Sequence, residues 1–95
     1  MSDVFDALAH PVRRKILKIL RNGPLSAGDL AERFALAKPT LSGHFAVLKA
    51  ADLVATERRG TSIIYRLNMS VLEEAMAALM SIAGASAPEP EGEAS

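Results

Sequence analysis

Ninety-five residues, 49% of them apolar, suffice for one modest domain whose core would gain from burial shared with a second copy. The chain has no cysteine, which excludes disulfides, thiolate metal sites and thiol redox sensing, and only His10 and His44 remain as imidazole donors. The formal net charge is zero, yet the segment from Arg13 to Arg66 holds all eleven basic residues against Asp29, Glu32, Asp52 and Glu57, a local net charge of +7.

No apolar run approaches membrane-spanning length, and the opening Met-Ser-Asp-Val-Phe-Asp lacks an export pattern. A cytoplasmic protein without membrane insertion is expected. Asp3 is placed to cap a short first helix carrying Val4, Phe5, Ala7 and Leu8, which needs a surface to pack on. His10-Pro11 breaks the pattern. Pro11 then opens a second helix, in which Val12, Ile16, Ile19 and Leu20 form an inward stripe while Arg14, Lys18 and Arg21 point away. Asn22-Gly23-Pro24 stops it. Arg13 and Arg14 stand in its first turn, the unfavourable end for a cation in the helix dipole, so a phosphate or a buried carboxylate is the expected partner; for Arg14 a solvated face serves equally.

Ser26 caps the third helix, with Asp29 three residues on as in a capping box and Leu30, Ala31 and Phe34 facing inward. Leu36-Ala37 is a brief connection to a fourth helix over Lys38–Ala51, and the two form a helix-turn-helix. Ala37 stands where a capping Ser would be the better choice, but Pro39 suits a first turn. Leu41, Phe45 and Leu48 fall at i, i+4 and i+7 and face a core. Thr40, Ser42, Gly43 and Ala46, flanked by Lys38 and Lys49, make the other side small, polar and basic. Such a face can approach a duplex closely, its hydroxyls and lysines matched to base edges and phosphates, so the helix is read as a recognition helix for the DNA major groove.

The periodicity then turns extended: Leu53–Thr56, a loop over Glu57–Thr61 with Gly60 for the turn, and Ser62–Leu67 make a β-hairpin. Arg58 and Arg59 ride at its tip, placed to reach a flanking minor groove or its phosphates. Asn68 or Ser70 caps a last helix over Val71–Ala83 that is apolar nearly all round beyond Glu73 and Glu74. One small domain cannot bury every side of it, so a homodimer is expected, with Phe5, Leu8, Leu72, Met76, Leu79 and Met80 in the interface. Residues 84–95 carry Glu89, Glu91 and Glu93 among Pro, Gly and Ala and are expected to form a disordered acidic tail after a single domain over 1–83.

This order, mainly α with a small β-hairpin, is that of a winged helix-turn-helix. Ala9-His10-Pro11-Val12-Arg13-Arg14-Lys15-Ile16-Leu17, Asp29-Leu30-Ala31, Lys38-Pro39-Thr40-Leu41-Ser42-Gly43-His44-Phe45-Ala46-Val47-Leu48, Ala51-Asp52-Leu53-Val54 and Tyr65-Arg66-Leu67 together resemble the signature blocks of the ArsR/SmtB family of bacterial repressors. The resemblance covers roughly residues 3 to 83 and implies a dimer joined through its first and last helices that represses transcription from an imperfect palindrome in its own operator. Metal-sensing relatives place cysteines where this chain reads Leu25-Ser26-Ala27-Gly28-Asp29, or carboxylates and histidines in the last helix, where only Glu73 and Glu74 offer donors. No metal site and no cofactor are therefore expected. Gly43 replaces a bulkier residue of the family pattern. The chain is most similar to the metal-independent SdpR-like branch, which implies an autorepressor, often encoded beside a membrane protein.

The expected function is thus a DNA-binding repressor with double-stranded operator DNA as partner. Thr40, Ser42, Gly43 and His44 would approach the major groove, Lys38, Lys49 and Arg13 would hold phosphates, and Arg58 and Arg59 would make the wing contacts. A winged-helix module for protein contacts, facing an acidic partner, is the alternative. Catalysis is not expected, because the chain lacks a cysteine, a carboxylate pair flanking a histidine and a glycine-rich phosphate loop.

Overall fold

The computed structural model describes residues 2–84; the acidic tail expected beyond Gly84 lies outside the described residues. The elements are α1 (Ser2–Leu8), α2 (Pro11–Leu20), β1 (Leu25–Ser26), α3 (Ala27–Ala31), α4 (Lys38–Ala50), β2 (Val54–Arg59), β3 (Ser62–Leu67) and α5 (Met69–Ala83). The sheet has three antiparallel strands in the order β1-β3-β2, one more than the expected hairpin. Leu25 and Ser26 pair with Tyr65 and Ile64. Two residues show no alternation, so only the free edge of β3 makes them a strand.

Local chemistry sets the element ends. Ser26 Oγ accepts the Asp29 N–H at 3.0 Å and caps α3 as expected. Asp3 lies inside the first turn of α1 rather than capping it. Asn68 is the N-cap residue of α5 but makes no side-chain cap bond; its amide donates instead to the Asp52 carbonyl at 3.0 Å. Ser70 falls inside that helix. Arg58 and Arg59 belong to β2, and the turn is only Gly60-Thr61, with Gly60 at φ +61° where an L side chain would be strained.

Leu41, Phe45 and Leu48 are buried as their spacing requires, and α4 packs on α1, α2 and β2. The helix ends in a Schellman turn. The Leu53 N–H donates to the Leu48 carbonyl and the Asp52 N–H to that of Lys49, with Asp52 at φ +61° in the position glycine usually takes. Leu48 and Leu53, the two ends of that turn, are both fully buried. In α2 the buried residues are Ile16, Leu17 and Leu20, whereas Val12 and Ile19 are only half-buried. Leu17 thus joins the core in place of a residue from the expected stripe. All buried side chains among the described residues are apolar.

Leu48 has no exposed surface, while its neighbour Val47 is 38% exposed. Leu48→Ala should cost about 2–5 kcal/mol by leaving a cavity beneath α4. Val47→Ala should change stability by no more than about 0.5 kcal/mol. Urea denaturation of the two variants beside the wild type measures the contrast.

Candidate nucleic-acid interface

Burial of Leu41, Phe45 and Leu48 turns Lys38, Thr40, Ser42, Gly43, Ala46 and Lys49 to solvent. At 100° per residue the outermost line of the helix is Pro39, Gly43, Ala46 and Ala50, a run of small side chains. Apart from its chain neighbours and the helix's own backbone, no atom of the described residues lies within 4 Å of the place a Cβ on Gly43 would take, so packing does not require a glycine there. What the missing side chain leaves is backbone open to an outside surface. Lys38 and Ser42 occupy one flank, above a cleft of about 250 Å³ that they share with Ala27, Gly28 and Tyr65. Tyr65 also stacks on Phe45 with ring centroids 4.7 Å apart, and burial raises its hydroxyl pKa above the ordinary 10.0.

The other flank carries His44, half-buried against α2. Arg13 Nη1 donates to His44 Nδ1 at 3.1 Å, and the two imidazoles of His10 and His44 lie with centroids 4.4 Å apart. Arg13 also donates from Nε to the Ala7 carbonyl at 2.8 Å and from Nη2 to the Asp6 carbonyl at 3.1 Å. Arg14 donates to the Leu8 carbonyl at 2.7 Å. The two arginines are at the wrong end of their own helix dipole but at the favourable end of α1, whose last carbonyls lack helical partners. Backbone carbonyls, rather than a phosphate or a buried carboxylate, take the place of the expected partner. His10 was passed over by sequence reasoning as a helix cap; its Nδ1 accepts the Val12 N–H at 3.1 Å and starts α2.

On the wing, register separates the arginines. Arg58 falls on the sheet face of Val54, Tyr65 and Leu67, and Arg59 on the opposite face. Arg59 pairs with Glu57 at 3.3 Å and Arg66 with the same carboxylate at 3.1 Å, all three exposed. Arg58 has no ion pair among the described residues. Arg66 and Glu57 had no role in the sequence-based site; only pairing of the strands brings them together. Exposed pairs of this kind are worth little, so Arg59 can exchange its carboxylate for another anion at small cost.

Away from this surface, α5 buries only Ala75 and leaves Met76 and Leu79 each 50% exposed and Met80 39% exposed. Phe5, Leu8 and Leu72 are half-buried against the core. Glu73 and Glu74 are exposed, and among the described residues no three His, Asp or Glu side chains gather as a metal site would need.

Residues 8–57 match a family model described as a helix-turn-helix domain. The chain is 43% identical over 76 residues to the transcriptional repressor SdpR of Bacillus subtilis, covering 80% of this chain and 84% of that one. It is 38% identical over 73 residues to an arsenical resistance operon repressor of Staphylococcus xylosus, covering 77% of this chain and 70% of the other. A crystal structure of an ArsR family transcriptional regulator superposes with a TM-score of 0.80 at 26% identity, over 87% of this chain and 91% of that one. These relatives are regulators of transcription and not enzymes. With the helix-turn-helix, the wing and these similarities together, the chain belongs to the ArsR/SmtB family of winged helix-turn-helix transcriptional regulators.

Proposed function

We propose that this DNA-binding transcriptional repressor acts as a homodimer, laying α4 of each protomer in the major groove of a palindromic operator with the wing on the flanking backbone. The single observation that carries this reading is the outer face of α4, small and open along Pro39, Gly43 and Ala46 with exposed Lys38 and Lys49 beside it. Thr40, Ser42 and Gly43 are the groove-facing residues, and Lys38, Lys49, Arg58 and Arg59 the phosphate contacts. Two-fold symmetry sets the half-sites about one helical turn, ~10 bp, or a multiple of it apart. Repression follows from occupancy of the promoter, and resemblance to SdpR-like repressors supports a target upstream of the protein's own coding region.

Exposed Met76, Leu79 and Met80 on α5, with half-buried Leu72 on the same helical face, support dimerisation. Phe5 and Leu8 on α1, which packs beside α5, extend that face. No helix among the described residues is long and apolar enough to cross a membrane; a cytoplasmic site of action accords with that.

Binding of the protein to the duplex upstream of its own coding region, against a scrambled duplex across a salt series, tests the reading. Preference for the native duplex with dimer stoichiometry is expected; equal weak binding to both would count against it and favour the protein-contact module. Arg58→Ala should reduce the slope of log affinity against log salt by about 0.9 per protomer. Glu57→Gln should strengthen binding to all sequences by releasing Arg59 and Arg66 from a competing anion. Gly43→Ala should stabilise the fold by up to about 1 kcal/mol through helix propensity. By contrast, Gly43→Leu should leave it folded but abolish operator preference. A Met76→Glu/Leu79→Glu double variant should sediment as a folded monomer; an unchanged dimer would remove α5 from the interface.

A further inference from the structure

We propose that Arg13 is a positioning residue that holds His44 neutral and protonated on Nε2, so that α4 offers a DNA duplex one fixed hydrogen-bond donor along its α2 edge. The inference rests on the DNA reading above and adds to it which atom is presented and what keeps it there.

Arginine has donors only, so the 3.1 Å contact from Arg13 Nη1 requires a bare Nδ1 on His44, and the neutral ring must carry its proton on Nε2. Nε2 has no hydrogen-bond partner among the described residues. Among the described residues no buried side-chain nitrogen or oxygen lacks one, so Nε2–H meets solvent. Arg13 is itself tied down at Nε and Nη2 by the Ala7 and Asp6 carbonyls, and the negative end of α1 favours its charge there. On the other side the His10 ring closes against His44, held in turn by the Val12 N–H. A bound Nε2–H accepts nothing; it must meet an acceptor, which can be a phosphate oxygen, a purine N7 or a base carbonyl (guanine O6 or thymine O4), and it disfavours an exocyclic amine.

Among the described residues the titratable or charged side chains against this ring are Arg13 from α2 and His10 from its cap; α1 contributes backbone carbonyls to Arg13, and the neighbours on α4, Thr40 and Val47, are uncharged. Burial first, then His10 and Arg13, lower the His44 pKa below its ordinary 6.5. The unfolded chain therefore takes up this proton first. The stability the neutral ring contributes is complete above the ordinary value and is lost as pH falls through the folded one.

Nitrogen-15 NMR of the imidazoles in the free protein tests the tautomer without DNA. A bare Nδ1 and a protonated Nε2 on His44, and partial loss of that preference in Arg13→Lys, are expected; an Nδ1–H tautomer in the wild type overturns the proposal. On the native upstream duplex His44→Phe should weaken binding by roughly three- to tenfold, and His44→Gln, whose amide can donate from a similar place, should recover most of it. One position per half-site should show the same loss with the wild type and none with His44→Phe. If that position responds to a 7-deazapurine the acceptor is N7, and if to a neutral methylphosphonate it is the backbone. If it responds only to replacement of a base carbonyl the acceptor is guanine O6 or thymine O4, and response to none of the three overturns the proposal. The preference for native over scrambled duplex should fall as pH drops below the ordinary imidazole value of 6.5 in the wild type and stay level in His44→Gln. A wild type with the expected tautomer but no preference for any duplex overturns the DNA reading and the donor's target together, whereas preference with the wrong tautomer overturns this proposal, donor and Arg13 alike, and leaves the DNA reading standing.

Discussion

Leu41, Phe45 and Leu48 bury one side of α4 against α1, α2 and the wing, and that burial decides which of the helix's side chains meet solvent. The Schellman turn from Leu48 to Leu53 then fixes where β2 begins, so the wing is set relative to α4 by a turn with both ends in the core. A helix held only by its ends could roll. Three apolar side chains on a common stripe, each worth about 1.5–3 kcal/mol of burial, make rotation about the helix axis costly and keep Gly43 and Ala46 outermost.

Charge on this molecule is divided between internal and external tasks. Arg13 and Arg14 cap the carbonyls of α1, and Arg59 and Arg66 share Glu57. A carbonyl cap leaves the cation's charge in place, so Arg13 and Arg14 still contribute to the positive field of the segment; the wing carboxylate partly cancels its two partners. Lys38, Lys49 and Arg58 have no ion pair among the described residues; the two lysines are exposed beside the outward face of α4, and Arg58 is exposed near the tip of the wing. The same cation type thus fixes a helix junction in one place and offers a contact in another, and its hydrogen-bond partners tell the two apart.

The opposite end of the domain poses a different physical problem. α5 buries only Ala75, while Met76, Leu79 and Met80 stay open beside Leu72, and Ile82 is 83% exposed. A sheet and four short helices do not supply enough surface to cover a helix apolar on several sides, which is the condition that association relieves. Because α1 touches α5, α2 and α4, the surface proposed for association is joined through Arg13 to the edge of the helix proposed for DNA.

Most of this architecture was legible in the sequence because it is local. The stripe of α4, the stop at Gly23-Pro24, the cap at Ser26 and the apolar surplus of α5 depend on residues a few positions apart, whose periods of 3.6 and 2 follow from backbone geometry. The anomaly of Arg13, a cation at the wrong end of its helix, was visible too, but its resolution was not. His44 lies 31 residues away, and the Asp6 and Ala7 carbonyls that hold the guanidinium are backbone atoms with no signature in residue type. Likewise Leu25 and Ser26 became a strand only because β3 had an edge to offer, and Leu17 entered the core because α2 is covered on more than one side. The sequence by itself determined which faces are apolar, which are basic and where helices stop, since these are properties of neighbouring residues. Only the tertiary structure decided which polar groups meet, because hydrogen bonds are satisfied across whatever elements packing brings together.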